Sequence, residues 1–159
     1  MATNKNIPFA KAEMLIRKPV PEVFEAFIDP AITTRFWFTK STGKLVTGKQ
    51  VQWTWEMYNH TETVFVKEIE LNKKILIEWG NDEDKTTVEW IFKQMNEHST
   101  FVSVINEGFT GDTEKIISQI RDSTEGFTLV LAGLKAWLEH SIQLNLVADR
   151  FPQGIGEEA

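Results

Sequence analysis

The sequence DTEKIISQIRDSTEGFTLVLAGLKAWLEHSIQLNLV, Asp112 to Val147, decides the fold. Its apolar residues recur at Ile116, Ile120, Phe127, Leu131, Leu134, Leu138 and Ile142, in steps of three, four and seven. An α-helix gathers residues with that spacing on one face. Lys115, Gln119, Arg121, Lys135 and Glu139 fall off the stripe and are expected to face water. Asp112 or Thr113 can cap the start. Glu114 then sits in the first turn, where the helix dipole favours a carboxylate. Asp122-Ser123-Thr124-Glu125-Gly126 interrupts the pattern, and its poor helix formers predict a kink or a restart. A long helix with one apolar face needs a partner surface. The chain before it reads as that surface.

Working back from Asp112, five segments carry strand patterns. Val51, Trp53, Trp55 and Met57 alternate with Gln52, Thr54 and Glu56, as in a half-buried strand. Residues 63–71 are rich in β-branched side chains. Ile75, Ile77 and Trp79 form a third set, Val88, Trp90 and Phe92 a fourth, and Phe101 to Ile105 a fifth. Asn72-Lys73-Lys74, residues 80–84 and residues 96–99 supply short polar turns, so the strands form an antiparallel meander. Nearer the start, Phe9 to Arg17 reads as a strand. Pro21 suits a first helical position, and Val20, Val23, Phe24 and Phe27 share a face. Asp29-Pro30 ends that helix, because the residue before proline avoids the α region. Ala31 to Phe36 forms a second short helix leading into Trp37-Phe38.

The order is strand, two short helices, curved antiparallel sheet, one long helix. This is an α+β protein in which the sheet wraps around the C-terminal helix. Residues 1–8 are expected to be loose, residues 9–147 to form a single domain, and residues 148–159 to be a flexible tail. No βαβ alternation or internal repeat occurs.

A chain of 159 residues with 42% hydrophobic and 25% charged residues is ordinary for one soluble domain. A net charge of −6 argues against nucleic-acid or anionic-membrane binding, which need a basic surface. The absence of cysteine excludes disulfides and thiolate chemistry. No apolar run approaches bilayer length and no signal core opens the chain, so membrane insertion is not expected and a cytoplasmic location is. Six Trp and eleven Phe stand against one Tyr, an aromatic balance with much ring surface to place and few phenols.

Pro21-Glu22-Val23-Phe24-Glu25-Ala26-Phe27, Arg35-Phe36-Trp37-Phe38, Lys74 to Trp79, Thr87-Val88-Glu89-Trp90, Asn106-Glu107-Gly108-Phe109 and Gly126-Phe127 with Leu131 to Glu139 occur in a telling order. That order and spacing resemble the START-like (SRPBCC) superfamily, whose helix-grip fold is also that of the birch-pollen allergen. The resemblance is to the branch similar to the activator of heat-shock protein 90 ATPase, and covers almost the whole chain. Two departures stand out: Gly126-Phe127 replaces a frequent Gly-Trp, and Asn106 stands where the last strand often carries His. The resemblance implies a cavity between sheet and long helix, which relatives fill with lipids, hormones or polyketides or use for cyclase chemistry. In chaperone activators a similar domain is the C-terminal half of a larger cochaperone, so a chaperone partner and a role in stress response are also implied.

The candidate site is the inner aromatic face. Trp37, Trp53, Trp55, Met57, Trp79, Trp90, Phe92, Asn106, Phe109, Phe127 and Leu131 either line a pocket for a small apolar or aromatic ligand or form plain core; periodicity buries the same face either way. Buried indole N–H groups need partners, which a ligand can supply. Asn106 shares parity with Val102 and Val104 and either orients a ligand or is satisfied by nearby backbone. Arg35 is a candidate for pairing a ligand carboxylate at the mouth, against an ordinary surface charge. His60, His98 and His140 have no second ligand at metal spacing, and no nucleophile elbow or inner carboxylate pair is evident. The reading is a binding protein without metal or cofactor. The alternatives are a chaperone-associated interaction protein and a cyclase- or hydrolase-like enzyme; a homodimer stays open.

Overall fold

The computed structural model describes residues 7–154. The expectations for residues 1–6 and 155–159 lie outside that range. The elements run β1 (Phe9–Ile16), α1 (Val20–Ile28), α2 (Pro30–Thr33), β2 (Lys40–Ser41) and β3 (Gln50–Trp55). After a 3-10 turn at Glu56–Tyr58 come β4 (His60–Glu70), β5 (Lys74–Trp79), β6 (Thr86–Asn96), β7 (Ser99–Glu107), α3 (Thr113–His140) and α4 (Leu146–Arg150). All seven strands form one antiparallel sheet in the order β1-β7-β6-β5-β4-β3-β2. The meander thus closes when β1 returns to pair with β7, Ala10 opposite Asn106 and Ala12 opposite Val104. Register shifts at Val66/Glu68 and Gln94/Asn96 add the local bends that curl such a sheet.

The strand alternation places Val51, Trp53, Val64, Val66, Ile75, Ile77, Val88, Trp90, Val102 and Val104 on the buried face. The α1 helix adds Val23, Phe24 and Phe27 to that core, with Phe24 edge-on to Phe92 at 5.2 Å. Asp29 ends α1 in an extended conformation, and its side chain accepts a hydrogen bond from Ala31 N to cap α2. The next residues deliver Trp37 and Phe38 into the centre, where Phe38 stacks on Trp53 at 4.5 Å.

The α3 helix packs on β1. Asp112 caps it, accepting from Lys115 N at 2.8 Å. It runs unbroken to His140, so the expected kink at residues 122–126 does not occur. Tertiary contacts override the weak local propensity there: Ser123 bonds to the sheet, Glu125 pairs with Arg150, and Phe127 is buried. The helix also stops earlier than the expected Val147. Ser141 turns left-handed at φ 56°, leaving Ile142 exposed, and Asn145 does the same at φ 59° before α4 begins. Lys135 and Glu139, expected to face water, instead clasp the end of β1. Lys135 Nζ donates to Leu15 O at 2.8 Å, and Glu139 accepts from Lys135 Nζ at 2.7 Å and from Arg17 N at 2.8 Å.

Gly133 fixes how close the helix can come. A Cβ there would lie 3.1 Å from Phe36 Cβ and 3.3 Å from Phe36 O. Gly133→Val should therefore cost about 1–3 kcal/mol through overpacking, read as a lower midpoint in thermal unfolding. The clasp gives a second prediction. Burial pushes the Glu139 carboxyl up, but the Lys135 and Arg17 hydrogen bonds outweigh it and hold the group below its ordinary value of 4.5. A depressed carboxylate stabilises the fold above its unfolded value and loses that contribution as pH falls through the folded one. Glu139→Gln should destabilise the protein by about 1.5–3 kcal/mol at neutral pH, with the gap to wild type narrowing in denaturant melts as the pH falls below 4.5.

Candidate functional site

Because α3 lies toward β1, the far half of the sheet is left for other cover. Between the middle of α3 and strands β3 to β5 lies a cavity of about 740 Å³. Its apolar wall is Trp37, Trp55, Trp79, Phe127, Leu129 and Val130. Trp37 is the hub: its ring lies 4.9 Å from Trp53, 6.1 Å from Trp55, 5.9 Å from Trp79 and 5.8 Å from both Trp90 and Phe127. Trp79 and Phe127 stack at 6.0 Å across the gap between sheet and helix. Gly126 lines the same space, and a Cβ built on it would meet no atom within 4 Å.

One end of the cavity is polar. Asn106, 4% exposed, donates through Nδ2 to Thr86 Oγ1 at 3.0 Å and to Thr87 O at 2.8 Å. Its Oδ1 accepts from Ser123 Oγ on α3 at 2.8 Å. Trp79 Nε1 donates to the same Thr86 hydroxyl at 3.1 Å. The rim carries both signs of charge: Arg121, Asp122, Glu125, His60, Glu62 and Arg150. Arg150 Nε pairs with Glu125 at 2.7 Å, and His60 Nε2 lies 3.5 Å from Glu62.

A further side is formed by the C-terminal segment. Val147, Arg150 and Phe151 line the cavity. The Tyr58 hydroxyl donates to Val147 O, and lies 3.3 Å from Ala148 O. Its ring meets Phe151 at 6.2 Å. Burial pushes the Tyr58 phenol above its ordinary value, so it remains a neutral donor at physiological pH.

Of the residues singled out from the sequence, Trp37, Trp55, Trp79, Asn106 and Phe127 meet at this cavity. Trp53, Trp90, Phe92 and Leu131 lie beneath it as core. Met57 leaves the strand parity expected of it: β3 ends at Trp55, and the 3-10 turn carries Met57 to the surface at 38% exposure. Phe109 follows β7 and is half-buried away from the cavity. Arg35 is exposed and sits over the Trp137 ring at 5.0 Å, outside the cavity lining. Tyr58, His60, Glu62, Arg121, Glu125, Arg150 and Phe151 were not foreseen. The signals available were the lone Tyr, the apolar Leu146 and Val147 at the expected end of the long helix, and Phe151 in the stretch read as tail. Trp90 Nε1 is a buried donor without a hydrogen-bond partner among the described residues. Among the described residues no group of His, Asp and Glu could hold a metal, and no helix is long and apolar enough to cross a membrane.

The sequence matches none of the curated proteins. Solved structures similar to it include a Staphylococcus saprophyticus protein at 27% identity and TM-score 0.74, covering 86% of this chain and 95% of the other. A Mesorhizobium loti protein is similar at 16% identity and TM-score 0.73, covering 84% and 98%. The Aha1 dimer from Colwellia psychrerythraea is similar at 14% identity and TM-score 0.70, covering 83% and 96%. Two of these identities are low enough to speak for the fold alone. The family model described as activator of Hsp90 ATPase homolog 1-like protein matches residues 17–139. With the helix-grip arrangement of curved sheet and long helix, that match settles the kinship: the chain belongs to the activator of Hsp90 ATPase homolog 1-like family, a branch of the START-like superfamily.

Proposed function

We propose that this protein binds a small, largely apolar, ring-containing molecule in the cavity between α3 and β3 to β5. The observation that carries the reading is a space of about 740 Å³ walled by Trp37, Trp55, Trp79 and Phe127 and ended by the buried Asn106 amide. Ligand sites are typically clefts of this kind, with apolar walls and a few convergent polar groups. Rings of the ligand replace missing contacts against the indole faces, and the Asn106 end fixes its orientation. Beneath the cavity Trp53, Trp90 and Leu131 are fully buried as core, and the two Trp rings back the wall through Trp37.

The family match favours a second reading, in which the outer surface engages a chaperone of the Hsp90 type and the cavity is incidental. Stimulation of such a chaperone's ATPase by the purified chain, undiminished when the cavity is blocked, favours that reading over the first.

Gly126 provides the block. Leu at this position projects into the open space beside Phe127, and leaving glycine in a helix interior gains up to about 1 kcal/mol. Gly126→Leu should keep or raise the thermal midpoint while weakening binding of indole at least tenfold, measured by calorimetry. Unchanged affinity in a folded Gly126→Leu protein removes the cavity as the binding site.

A further inference from the structure

We infer that the Asn106–Ser123 pair at the polar end of the cavity presents hydrogen-bond acceptors only, and so favours ligands that carry an N–H or O–H donor on an aromatic or apolar frame. This rests on the cavity being the binding site and adds the chemistry it chooses. The argument is an accounting of protons.

Thr87 O, a backbone carbonyl, can only accept, and it lies 2.8 Å from the Asn106 amide. The atom facing it is therefore Nδ2, which fixes the amide's orientation. Its second N–H goes to Thr86 Oγ1 at 3.0 Å, so both amide protons are committed away from the cavity. Thr86 Oγ1 also receives the Trp79 indole N–H at 3.1 Å. That removes the Trp79 proton as well; two donors fill the acceptor capacity of the threonine hydroxyl, and Thr86, which keeps its own proton, is not part of the cavity lining. On the opposite side, Asn106 Oδ1 lies 2.8 Å from Ser123 Oγ. Since Oδ1 cannot donate, the serine gives its only proton to it.

What remains for the cavity is one lone pair on Asn106 Oδ1 and the lone pairs of Ser123 Oγ. Both residues line the space. A ligand hydroxyl or N–H is accepted there. A ligand carbonyl or ether brings a lone pair against lone pairs and loses its water without recompense. The rim offers both signs of charge, and the Ser118 hydroxyl there can donate as well as accept, so neither imposes this choice; it belongs to the Asn106–Ser123 pair.

Indole and benzofuran test it, because they share shape and differ in an N–H donor against an oxygen acceptor. Benzofuran is the less polar, so burial alone favours it. Calorimetry on the wild-type chain should show indole binding about tenfold tighter. In Asn106→Leu the Ser123 proton is released toward the cavity and the ratio should fall below threefold. In Ser123→Ala the Oδ1 acceptor stays and indole should keep its preference. Equal or reversed affinities in the wild type overturn the inference and leave the cavity reading standing; this comparison decides even where Asn106→Leu does not fold. Failure of both probes to bind up to their solubility overturns the cavity reading, and this inference with it.

Discussion

The structure depends on a mismatch of widths. A helix with its side chains is about 10 Å across, and strands lie about 4.8 Å apart, so one helix covers about two or three strands. This sheet has seven. Where α3 seats itself decides what must cover the rest, and it seats on β1. The other buried strands need apolar partners from elsewhere in the chain. The α1 helix supplies Phe24 and Phe27 over Phe92 and Trp90. Trp37 and Phe38 supply the centre. What they leave uncovered, beside β3 to β5, is the cavity.

Two glycines on one face of α3 show how the seat is set. Gly133 lets the helix backbone rest on Phe36, so that α3 is held low at its C-terminal half. Seven residues earlier, two turns away on the same side, Gly126 faces open space. The same residue type therefore serves contact in one place and vacancy in the other. The Lys135–Glu139 clasp on Leu15 O and Arg17 N pins the closely packed end, while the Ser123–Asn106 bond ties the helix to β7 beside the cavity. A helix held at both places spans the space between them without collapsing into it.

One side of the cavity is formed by a segment that brings Val147 and Phe151 to its lining. Left-handed Ser141 and Asn145 fold the chain back so that α4 lies against the 3-10 turn. Its attachment combines the Tyr58–Phe151 ring contact with polar contacts, from the Tyr58 hydroxyl to backbone carbonyls and between Arg150 and Glu125. The polar contacts exchange readily with water, unlike the aromatic packing below.

The sequence alone determined the α+β order, the strand parities and the family. Periods of two and of about 3.6 follow from local backbone geometry, and Trp53, Trp55, Trp90 and Val104 obey them wherever the strand continues. Asp29-Pro30 and Asp112 marked helix ends for equally local reasons. Local reasoning failed where long-range contacts outweighed propensity: at residues 122–126, which stay helical because Ser123, Glu125 and Phe127 are held by partners distant in sequence, and at Lys135 and Glu139, which turn inward to β1. It failed at Met57, where the strand stops early and parity ends with it. Only the tertiary structure decided which inner aromatics face a cavity and which are core. Trp53 and Trp79 share the same parity rule, and what separates them is where α3 comes to rest across the sheet, a distance that no period in the chain encodes.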